Sequence, residues 1–87
     1  MNPLVLQMVN HKLNTIKKDE LIQLAKQYNF KVTETQAKKI ITILRSETID
    51  VTNMTQRERI LAKIKQQVDA NTEKQMNAML KQYDHYL

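Results

Sequence analysis

Near the start of the chain Leu6, Val9, Leu13 and Ile16 recur every three or four residues, the interval that lines side chains along one face of an α-helix. Asn2 offers a capping side chain and Pro3 a first helical residue whose missing N–H costs nothing, so the pattern predicts a helix over residues 3–13. Leu21, Leu24, Ala25 and Tyr28 form the next stripe and predict a second helix over about residues 18–28. Ile16 ahead of it, Glu20 at its third position and Leu21 at its fourth match a hydrophobic staple with an acidic return. Lys17 occupies the cap itself, where an oxygen acceptor belongs, so the start lacks half of its usual chemistry. Asn29 is the expected left-handed terminator in place of glycine, with Phe30 folded back over the last turn.

Three Thr-x-x-Glu/Gln boxes mark later helix starts. Thr33 and Gln36, with Val32 stapled onto Ala37, open a helix whose inner stripe is Ala37, Ile40, Ile41 and Leu44, leaving Lys38, Lys39 and Arg45 on other faces. Thr55 and Glu58 open another, with Ile60, Leu61, Ile64 and Val68 inward and Arg59, Lys63 and Gln66 outward. Thr72 and Gln75 open the last, with Met76, Met79, Leu80, Tyr83 and Leu87 along its stripe. Residues 46–54 fit no helix; Ile49, Val51 and Met54 make them an extended connector pinned to the core. The expected fold is all-α, a compact single domain of four to five short helices over residues 1–87, without linker, low-complexity tract or internal repeat.

Composition narrows the chemistry. The chain has no glycine, which excludes loops that cradle phosphate through left-handed backbone, and no cysteine, which excludes disulfides, thiolate nucleophiles and Cys-based metal sites. No apolar run reaches the roughly 20 residues of a membrane span. In MNPLVLQMVNHKLN the basic residues follow the apolar ones, unlike a secretory signal, and the expected location is the cytoplasm. The net charge of +5 is uneven: residues 1–45 hold eight Lys/Arg against Asp19, Glu20 and Glu34, whereas residues 46–87 hold six of each sign. A basic half-molecule invites an anionic partner.

The ordered set Met8-Val9-Asn10, Lys12-Leu13-Asn14, Asp19-Glu20-Leu21 with Ala25 and Tyr28, Thr33 with Gln36-Ala37, Ile40 and Leu44-Arg45, and the pair Glu58-Arg59 resembles the YqfT-like family of short uncharacterised proteins from spore-forming bacilli. The resemblance covers nearly the whole chain. Lys17 departs from the family's usual cap threonine, and the glycines that members carry after the third and fourth helices are absent. The resemblance implies no known function and transfers no catalytic or binding residue.

Candidate sites are therefore read from the residues. His11 and His85 each lack a second ligand one helical turn away, and Ser46 has Glu47 beside it but no histidine nearby, so neither a metal, a cofactor nor an enzyme activity is expected. Lys31, Lys38, Lys39 and Arg45 are the candidate nucleic-acid contacts. A helix-turn-helix comparison is weakened by the long turn from Asn29 to Thr33 and by Thr35 where an apolar side chain belongs. Leu4, Val5 and Met8 are the candidate partner surface, because the first helix carries more apolar residues than one stripe holds. Met8, Met54, Met76 and Met79 fit either core filling or an adaptable groove. The expected function is a non-enzymatic module that binds a protein partner or a second copy of itself, with an accessory RNA- or DNA-binding role as the alternative.

Overall fold

The computed structural model describes residues 3–82, in which five helices follow one another: α1 (Pro3–Thr15), α2 (Lys18–Gln27), α3 (Glu34–Arg45), α4 (Met54–Gln67) and α5 (Ala70–Lys81). No strand occurs among these residues. The cap assigned to Asn2, the stripe positions Tyr83 and Leu87, and His85 lie outside them. From α2 onward successive helices pack on one another, α2 on α3, α3 on α4 and α4 on α5, and α1 lies against α3. One cluster of buried side chains joins all five, from Leu6 in α1 to Met76 in α5. The radius of gyration, 12.1 Å, is that of a single compact body of this length.

Helix α3 is the hub, and its sequence shows why. Three helices touch it, so a single stripe is too narrow, and Ala37, Ile40, Ile43 and Leu44 are all buried while Ile41 is half-buried. Ile43 was absent from the predicted stripe; the wider contact arc brings it inside. The predicted start is present: the Thr33 hydroxyl accepts from Gln36 N at 3.2 Å and Gln36 Oε1 accepts from Thr33 N at 3.0 Å. Val32 and Ala37 are buried beside it as the staple requires.

Helix α2 begins with half a box. Glu20 Oε1 accepts from Lys17 N at 3.1 Å, whereas the Lys17 side chain makes no cap hydrogen bond. Ile16 and Leu21, 0% and 2% exposed, close the staple and compensate by burial. The helix ends as expected, with Asn29 at φ 63° and the two Schellman bonds, Phe30 N to Ala25 O and Asn29 N to Lys26 O, at 3.0 and 3.1 Å.

Two later caps are corrected. The N-cap of α4 is Asn53, whose Oδ1 accepts from Gln56 N at 3.0 Å, and Thr55 lies within the first turn. The N-cap of α5 is Asp69, accepting from Thr72 N at 2.6 Å, and Thr72 is itself buried. In both cases the Asx residue upstream is the stronger acceptor; at Asp69 the carboxylate also meets the positive end of the helix and receives Gln36 Nε2 at 2.8 Å. Starting α4 earlier turns Met54 outward, where it is 49% exposed instead of anchoring the connector. Met76 and Met79 fill the core.

Candidate functional site

Helix α1 divides its apolar side chains between three environments. Leu6 is buried; Val5, Val9 and Leu13 are half-buried; Leu4 and Met8 are 66% and 64% exposed. Val5, Val9 and Leu13 form one wall of an open apolar groove of about 250 Å³, with Leu24 of α2 and Leu80 of α5 opposite. Leu4 and Met8, one helical turn apart, stand as a ridge along its edge. The structure thus gathers the three predicted partner-surface residues, Leu4, Val5 and Met8, on one side of the molecule. The opposite wall, Leu24 and Leu80, had no separate signal in the sequence, since both also satisfy their own helix stripes.

Lys12 is the one charged residue of α1, and it is paired with Glu20. That pair and the Lys17 N–H hold the Glu20 carboxyl below the usual carboxylate range. The next pair, Lys18 with Glu34 at 2.6 Å, ties the start of α2 to the start of α3, lowering Glu34 and raising Lys18 from their ordinary values.

The basic residues divide as well. Lys31, Lys38 and Lys39 are exposed, as a surface contact requires. Arg45 has a structural assignment: its guanidinium donates to Asn14 O and, at 2.7 Å, to Ile16 O. These are carbonyls at the C-terminal end of α1, which a helix cannot satisfy internally, and a cation there is also favoured by the helix dipole. The helix runs to Thr15, two residues beyond the predicted end at Leu13, and Arg45 caps that last turn.

Sequence reasoning missed a set of amide side chains that holds residues 46–53. Asn14 Nδ2 donates to Ile49 O at 3.0 Å and Asn14 Oδ1 accepts from Ile49 N at 2.7 Å, pairing the connector as a strand neighbour would. Asn10 Oδ1 accepts from Val51 N at 2.8 Å. Buried Gln56 accepts from Asp50 N at 2.7 Å and donates to Thr48 O and to Glu47. The usable signal was two asparagines four apart inside a helix, where their low propensity asks for another role. Glu47 also receives Arg59. Its carboxyl is held low, first by the Gln56 amide and then by that guanidinium.

A second, more polar groove of about 400 Å³ runs between α4 and α5, walled by Glu58, Lys65, Glu73 and Asn77. Arg57 lies at its floor, 6% exposed, with Nη1 3.4 Å from the Met54 sulfur. No group of three or more potential metal ligands converges among the described residues. None of their helices is long and apolar enough to cross a membrane.

Against this geometry, a family model described as a protein of unknown function (DUF2624) matches residues 1–84. The uncharacterised protein YqfT of Bacillus subtilis (strain 168) is 25% identical over 77 residues, which cover 88% of this chain and 92% of that protein. No solved structure gives a significant match.

Proposed function

The chain belongs to the DUF2624 family, and from that premise we propose that it is a non-enzymatic cytoplasmic module that works by protein–protein contact through the α1 face. The observation that carries this reading is the exposed pair Leu4 and Met8 beside the apolar groove. Surface hydrophobes scattered singly need no explanation, but a ridge adjoining an apolar concavity is the form of a binding surface. The groove has aliphatic walls and a single lysine at its rim, paired with Glu20, so what it supplies is shape and hydrophobic contact.

The test is co-purification of the tagged chain from its own host, with and without nuclease. Leu4→Glu and Met8→Glu are suited to it, because both side chains are already exposed and the changes leave the core intact. Each is expected to abolish recovery of protein partners, an untagged copy of the chain included, at unchanged helical circular dichroism. Recovery that survives both changes would refute the reading.

The nucleic-acid alternative draws on exposed Lys31, Lys38 and Lys39. For it, Lys38→Gln with Lys39→Gln lowers the slope of log affinity against log salt by roughly 1.4–1.8 units, from ~0.7–0.9 per phosphate contact. Arg45 is left out of that variant, since its removal uncaps α1.

A further inference from the structure

We propose that α1 is a latch that releases as one unit while α2–α5 stay folded, and that its release frees the connector backbone at Ile49 and Val51 in the same step. The inference goes beyond the reading of the α1 face as a binding surface and does not depend on it.

Burial holds α1 less firmly than it holds the hub. Leu6 is the one buried side chain among those described in α1, against four in α3. Leu13 stands between the open groove and an interior void of about 30 Å³, which it lines together with Leu44, Ile49 and Val51, so α1 forfeits part of its dispersion contact where it meets the connector. What fixes the helix instead is a set of polar ties: Asn10 to Val51 N, Asn14 to both backbone groups of Ile49, Arg45 to Asn14 O, and Lys12 to Glu20. Such ties contribute little net free energy where water can replace the partner. Here it can. Lys12 and Arg45 are exposed, and the Ile49 and Val51 N–H groups bond to side chains of α1 itself, so its departure hands each of these groups to solvent and strands none.

Once undocked, a helix of 13 residues is marginal in water and unwinds. The connector does not unwind with it. Asp50 N, between the two coupled amides, bonds to Gln56 Oε1 at 2.7 Å, and Gln56 Nε2 donates to Thr48 O at 2.8 Å, so α4 keeps its own hold on the segment. Three consecutive amides therefore alternate: those of Ile49 and Val51 answer to α1, that of Asp50 to α4. An equilibrium of this kind is a switch, because whatever binds only one of the two states shifts it by its differential affinity.

Native-state hydrogen exchange of the full chain, followed by NMR in sub-denaturing urea, tests the latch. The amides of residues 8–15 and those of Ile49 and Val51 are expected to share one opening constant, at least about tenfold larger than that of the slowest amides in α3 and α4, with a smaller urea dependence because less surface is exposed. The Asp50 amide should follow α4. Arg45→Gln should accelerate α1, Ile49 and Val51 by one common factor, roughly ten- to hundredfold for hydrogen bonds lost from a charged donor, with the dispersed resonances of α3 and α4 showing that the variant is folded. Exchange of α1 at the rate and urea slope of α3 and α4 would make the domain a single cooperative unit and overturn the proposal. So would Ile49 and Val51 amides that keep pace with Asp50 instead of α1, or an Arg45→Gln variant that accelerates α1 and leaves them unmoved.

Discussion

The turn after α2 and the connector before α4 both redirect a chain that has no glycine, and they draw their hydrogen bonds from different distances. In the turn, Asn29 takes the left-handed conformation and the freed backbone groups bond within five residues, Phe30 N to Ala25 O being the longest reach. In the connector, the N–H groups of Ile49 and Val51 go to Asn14 and Asn10, separated by 35 and 41 residues in sequence. A local turn forms wherever its few residues meet. The connector has local bonds of its own, Asp50 N to Gln56 and Asn53 N to Asp50 O among them, but its Ile49 and Val51 N–H groups find their partners only once α1 has docked, so that part of its stability is that of the assembled core.

That contrast breaks most visibly at Asn14. Asn14→Ala removes both bonds to Ile49 and leaves a buried segment's N–H and C=O without their amide, an expected loss of about 2–3 kcal/mol in urea melts. Since the lost contacts bridge α1 to the connector, amide exchange should accelerate at residues 49 and 51 before it does in α2 or α3. A loss below ~0.5 kcal/mol, the usual effect of an ordinary surface change, would show that burial of Ile49 and Val51 suffices.

The local turn should respond less, and residue by residue. Asn29→Ala is expected to cost about 1 kcal/mol, while Asn29→Gly should be neutral or slightly stabilising, because only the φ of 63° distinguishes them. Thr33→Ala, just beyond, should cost about 1 kcal/mol through the lost cap, and Thr42→Ala less, since the Thr42 hydroxyl merely back-bonds to Lys38 O. Equal losses at Thr33 and Thr42 in denaturant melts would place the start of α3 elsewhere.

The smallest effect is that of acid. Glu47 is held low by Gln56 and then Arg59, and Asp50 by the Thr52 hydroxyl and then its N–H. A carboxyl whose folded pKa is lowered stabilises the fold above its unfolded value and ceases to do so as pH falls through the folded one. Stability should therefore be flat near neutrality and decline below about pH 4, the ordinary carboxylate range. Glu47→Gln should flatten part of that decline. A melting temperature that rises on acidification would contradict the direction of these shifts.

How much of this was legible follows the same division. The Thr33–Gln36 box, the Ile16–Leu21 staple and the Asn29 terminator were readable because each closes within a handful of residues. Asn53 and Asp69 displaced the expected caps at Thr55 and Thr72 because choosing between neighbouring acceptors depends on what else touches them, Gln36 in the case of Asp69. Leu4, Val5 and Met8 stood out as apolar residues in excess of one stripe, yet the groove wall formed by Leu24 and Leu80 did not.

The sequence by itself determined the helices, both ends of α2, the start of α3 and most of the inward residues, since helical periodicity and capping are properties of short stretches and need no partner. Tertiary structure alone decided the rest. It made Arg45 the cap of α1 instead of a surface cation, set Asn10, Asn14 and Gln56 as the frame of the connector, and brought α1, α2 and α5 together around an apolar groove. Each of these depends on groups distant in the chain arriving at one place, and the free energy that brings them there is the burial of the whole core rather than any local preference.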